Sequence, residues 1–110
     1  MWMVCLQGVL LQEALCAELE AWLSRPRTWQ DLGAWFEKEF LYDRERLRDA
    51  AHWSRGMRVQ APETTFSRKM GVCADAALLC KYALNRMDQT YSAQVVYLDH
   101  GEDKLPHYVC

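Results

Sequence analysis

Between Gly71 and Leu98 the spacing of apolar residues changes period, and this constrains the fold more than any other feature of the chain. Cys73, Ala76, Ala77, Cys80, Leu84 and Met87 recur at helical spacing directly after the Gly71 break. They predict a helix over 73–87, largely buried, whose alanines permit close packing. The stretch YSAQVVYL (91–98) is instead rich in β-branched and aromatic residues and predicts a strand. Asp99 to Asp103 then reads as a turn, and Leu105 to Cys110 as a second strand. Pro106 stands near the start of that strand, where a missing N–H is tolerated.

The chain before Gly71 reads as helices. Leu11, Ala14, Leu15, Leu19, Trp22 and Leu23 predict a helix over about 6–24 with one buried face, ended by Arg25-Pro26-Arg27. Thr28 with Asp31 three residues on reads as a capping box opening a second helix, about 29–41. Trp29, Leu32, Trp35, Phe36 and Phe40 on that helix read as core rather than as a ligand box. The run YDRERLRDAAHW suits a charged third helix. Ala61-Pro62-Glu63 suits the start of a short helix over 62–68, with proline at the first turn and an acid beside it. Helices followed by an antiparallel hairpin make an α+β domain, with the cysteine-bearing helix packed against the hairpin or a small sheet.

Length and composition narrow the function classes. At 110 residues there is room for one domain with one core. Half the residues are apolar (51%), which argues against disorder. Net charge is −2, so bulk charge gives no sign of a nucleic-acid partner. The ten bases and seven acids of residues 25–69 interleave, as in EKEFLYDRERLRD, and read as a solvated face. No run approaches bilayer-spanning length, and the N-terminal stretch lacks the basic region of a signal peptide. Five cysteines at 5, 16, 73, 80 and 110 are odd in number and irregularly spaced, which reads as free thiols in a reducing compartment. A soluble, cytoplasmic protein without membrane or nucleic-acid partners is the expectation.

The candidate chemistry centres on Cys73 and His107. Cys73 stands at the first turn of a buried helix, where free N–H groups and a partial positive charge favour thiolate over thiol. His107 follows 34 residues later, on the second strand after that helix. A histidine there can take the thiol proton, and the helix N–H groups can stabilise a tetrahedral oxyanion. Gly71 allows a backbone or a substrate to approach closely. Asp75 reads either as support for the site or as a first-turn acid matched to the helix dipole. Gln60 and Trp53 are upstream donors that could serve an oxyanion, Trp53 reading more simply as core. A zinc site from Cys73, Cys80, His100, His107 and Cys110 is disfavoured. Cys73 and Cys80 lie two helical turns apart, and His107 and Cys110 differ in strand parity. His52 reads as a surface histidine. No cofactor or metal is expected.

The motifs Ala61-Pro62-Glu63-Thr64-Thr65-Phe66, Gly71-Val72-Cys73-Ala74-Asp75-Ala76-Ala77-Leu78-Leu79, Ala93-Gln94-Val95-Val96-Tyr97 and Pro106-His107-Tyr108-Val109-Cys110 resemble the transglutaminase-like cysteine protease superfamily. The resemblance covers about 61–110, and residues 1–60 form a helical part without a family signature. It implies a papain-like α+β core with Cys73 as nucleophile and His107 as its base. It also implies a protein or peptide substrate attacked at a peptide or side-chain amide through a thioester. Two departures stand out. Ala74 replaces an acidic or polar residue found in several members. The family's third residue, an Asp on the strand after the histidine, has no counterpart among the three residues that follow His107, Tyr108 to Cys110. A fragment truncated at its C-terminus, a Cys–His dyad and a degenerate member all fit that departure. The alternative to an enzyme is a catalytically inactive binding or scaffold module.

Overall fold

The computed structural model describes residues 2–51, 59–98 and 107–110. Its element order is α1 (Trp2–Leu23), α2 (Trp29–Glu39), β1 (Leu41–Tyr42), α3 (Arg44–Ala51), α4 (Pro62–Arg68), β2 (Met70–Gly71), α5 (Cys73–Met87), β3 (Val96–Leu98) and β4 (His107–Val109). The chain is thus an α+β fold, as the change of period predicts. Strands β3 and β4 pair antiparallel, with Val96 opposite Val109, Tyr97 opposite Tyr108 and Leu98 opposite His107. The predicted strand over 91–98 is shorter than expected. The Asn85 side chain takes both backbone groups of Ala93, accepting its N–H at 2.9 Å and donating to its carbonyl at 3.2 Å. With those groups engaged, Ala93 has none left for a ladder.

The local signals for α2, α4 and α5 place these helices to within two residues. Thr28 and Asp31 form the expected reciprocal cap: the Thr28 N–H donates to Asp31 at 2.8 Å, and the Asp31 N–H donates to the Thr28 hydroxyl at 3.4 Å. Pro62 opens α4. Lys69 ends α4 in the left-handed region, at φ 57°. That turn delivers Met70 and Gly71 alongside Leu41 and Tyr42, an unpredicted parallel pair, β1–β2. It is closed by the Leu41 N–H donating to the Lys69 carbonyl at 2.8 Å and the Asp43 N–H donating to the Gly71 carbonyl at 2.9 Å. Two-residue strands are too short to show a period, so the sequence reads them as a helix end and a break.

The core takes Leu19 from α1, Trp35 from α2, Phe66 from α4 and Leu79 from α5. Trp35 stacks on Phe66 at 5.0 Å and 12°, and Trp22 meets the same ring at 5.7 Å. Two expectations are corrected. Trp29 is 59% exposed, because it is the first residue of α2 and its ring stands at the helix terminus. On α5 the most deeply buried side chains are Asp75, Leu79 and Ala83, at i, i+4 spacing. Of the residues expected to be buried, Cys73 and Ala77 are, Ala76 and Cys80 are only partly so, and all four also border a cleft. Since Leu79 is fully buried among aromatic neighbours, Leu79→Ala should cost about 2–5 kcal/mol. A denaturant titration should show that loss as a lower midpoint with an unchanged slope.

Candidate active site

Cys73 is the first residue of α5 and is buried. Its position is set by the residue two places on. The Asp75 carboxylate, with no exposed surface, accepts the Val72 N–H at 2.8 Å, which fixes the chain where it enters the helix. It also accepts the Gln60 N–H at 2.7 Å, tying in the segment before α4. Arg46 of α3 binds it with both terminal guanidinium nitrogens, Nη2 lying 3.4 Å from Oδ1. Both readings of Asp75 from the sequence therefore have a counterpart. It is a first-turn acid, and it also anchors three segments around Cys73.

Several sequence expectations meet their outcome at this carboxylate. The charged stretch around α3 is more than a solvated face, since Arg46 turns inward and Asp43 is buried. Asp43 accepts the Arg46 N–H at 3.2 Å and so caps α3. Gly71 is required for close approach, but what approaches is Asp75. A Cβ at Gly71 would stand 2.8 Å from the Asp75 Cβ and 2.9 Å from Oδ2. Gln60 is held away from substrate work. Its amide nitrogen donates to Thr65 at 3.2 Å and to the Met70 carbonyl at 3.0 Å, and its oxygen accepts from Arg68. Trp53, His52, Asp99, His100 and Asp103 lie outside the described residues.

One functional candidate escaped the sequence reading. Tyr42, delivered by β1, lines the same cleft as Cys73, close enough for that cysteine to act on its phenol. Burial and then the adjacent Cys73 sulfur push this phenol above its ordinary pKa. Nothing local to a tyrosine in a charged run signals such a role. The signal is the parallel pairing that puts Tyr42 opposite Gly71, two residues before the cysteine.

Cys73 and Tyr42 line a cleft of about 370 Å³ whose other walls include Phe36 of α2, Phe40 just after that helix and Tyr108 of β4. The described lining residues carry no charged side chain. Phe36 and Phe40 thus serve twice, packing on the core and walling the cleft. His107 is the first residue of β4, and β4 packs against α5, the helix that Cys73 begins. A larger cleft of about 440 Å³, lined by Trp22, Trp35 and Phe66, contains none of the predicted site residues. Among the described residues no cluster of three or more His, Cys, Asp or Glu is placed to hold a metal. Among them, too, no helix is long and apolar enough to cross a membrane.

Removing the Asp75 carboxylate takes an anionic partner from Arg46 and the acceptor from two inward-facing N–H groups. Asp75→Ala should therefore cost about 3–5 kcal/mol, whereas a surface carboxylate such as Glu37 should cost under about 0.5 when replaced. Chemical denaturation of the two variants side by side checks this.

Residues 13–110 match a family described as "Transglutaminase-like domain". The match reaches back through α2 and α3 into α1, well beyond the half of the chain that carries the sequence motifs. No curated protein and no solved structure matches the chain.

Proposed function

Since the chain belongs to the transglutaminase-like domain family, we propose that it is a thiol hydrolase or acyltransferase acting on peptide or side-chain amides of a protein or peptide. The observation that carries this reading is Cys73 itself. It is the first residue of a helix, it borders a cleft whose described lining carries no charge, and the Tyr42 phenol lines the same cleft.

In this reading the Cys73 sulfur attacks the amide carbonyl, and His107 takes the thiol proton and returns it to the leaving amine. The oxygen of the tetrahedral intermediate carries the developing charge. The Cys73 N–H and the Tyr42 O–H are the donors for it, at the positive end of α5. Expulsion of the amine leaves an acyl group on Cys73 as a thioester. Water then gives hydrolysis or deamidation, and a second amine gives transfer. Arg46 meets the negative charge of Asp75, so a thiolate two residues away does not face an unpaired anion.

Release of amine or ammonia from a peptide panel containing glutamine tests the reading. Cys73→Ala and His107→Ala should each abolish turnover while leaving the thermal unfolding transition in place. Activity that survives Cys73→Ala would exclude the thioester route. A folded chain that turns over no amide but retains a partner would be a binding module instead.

Tyr42→Phe removes the hydroxyl and keeps the ring. If the hydroxyl serves the oxyanion, kcat should fall by about 10²–10³ with little change in KM. An increase in kcat would show that the hydroxyl obstructs the site.

A further inference from the structure

Cys80 lies on α5 two turns beyond Cys73, and the two share the helix face that borders the cleft. Cys110 directly follows β4 and borders the same cleft. Cys80 and Cys110 thus face one cleft from two elements that pack together, near enough for each thiol to act on the other, and neither is in a disulfide. The catalytic reading uses neither of them. Two turns of helix separate Cys80 from Cys73 by about 10 Å of rise, so the thiol beside Cys80 is not beside the nucleophile.

We propose that Cys80 and Cys110 form an oxidisable dithiol, which a small disulfide such as glutathione disulfide converts to an intramolecular bond fastening β4 to α5. The chemistry is thiol–disulfide exchange. The Cys110 thiolate attacks one sulfur of glutathione disulfide, breaking its S–S bond and releasing one glutathione thiolate. The Cys80 thiolate then attacks the Cys110 sulfur of the mixed disulfide and expels the second glutathione. Two protein thiols are oxidised, the reagent is reduced to two thiols, and the two protons pass to the departing glutathiones.

Exposure sets the order of attack. Cys110 is exposed, whereas Cys80 is only partly accessible. Burial, and then the neighbouring Cys110, push the Cys80 thiol up to about 12. Burial raises Cys110 too, while the neighbouring Cys80 and the charge of Lys81 pull it back. Cys110 therefore attacks first, and resolution by Cys80 is the slow step at neutral pH. The same environment favours the product. Neither thiolate is well stabilised in the reduced protein, which is the opposite of a strongly oxidising pair. The bond would join the strand holding His107 to the helix that begins with Cys73. The inference stands whether or not the chain transfers acyl groups.

The full chain, folded and incubated with millimolar glutathione disulfide at pH 8, provides the test. After blocking free thiols, a non-reducing tryptic digest should contain peptide 70–81 joined to peptide 105–110. Dithiothreitol should remove this species. Because 70–81 holds both Cys73 and Cys80, fragmentation of the wild-type cross-link must place the bond at Cys80. The cross-link should persist in Cys73→Ser and vanish in Cys80→Ser. Glutathione retained on Cys110 with Cys80 still alkylatable would overturn the proposal, as would a bond that maps to Cys73.

Discussion

One carboxylate organises the part of the molecule that matters for chemistry. Asp75 is buried in the first turn of α5 and receives donors from three places: Arg46 of α3, the Gln60 backbone before α4 and the Val72 backbone at the end of β2. A buried charge is stable only when paired and hydrogen-bonded, so each of these segments has to arrive in register. The absence of a side chain at Gly71 follows from the same requirement, because a Cβ there would occupy the space of the Asp75 side chain. Cys73 lies between these contacts, with Val72 held on one side and Asp75 on the other. Placement of Cys73 is thus a consequence of satisfying a buried acid.

Packing supplies the rest of the frame. The rings of Trp22, Trp35 and Phe66 join α1, α2 and α4, and Leu79 brings in α5. On the other side of α5, residues at i+3, i+4 and i+7 from Cys73 are Ala76, Ala77 and Cys80, whose small side chains leave the cleft open. Large residues at these positions would fill it. The alanines therefore have two uses, close packing and a space beside the sulfur.

Much of this was legible in the sequence, wherever the determinant is local. The Thr28–Asp31 cap, Pro62 at a helix start and the apolar period after Gly71 mark α2, α4 and α5 because each acts within one or two turns. The cysteine block carried the family resemblance for the same reason. Non-local determinants were not legible. Strands β1 and β2 exist only as partners across nearly thirty residues. Arg46 looks like any exposed arginine of a charged helix until Asp75 is placed opposite it. Tyr42 comes beside Cys73 only through that parallel pairing, and Trp29 follows the apolar spacing yet stands at a helix end.

The central claim is that Cys73 forms a thioester during turnover. The most direct measurement is intact-mass analysis of the chain, acid-quenched soon after mixing with an activated ester of an N-acylated amino acid. The account predicts one acyl increment, localised by fragmentation to Cys73, removed by neutral hydroxylamine and missing in Cys73→Ala. An increment spread over the other thiols, or confined to exposed Cys16, would contradict it.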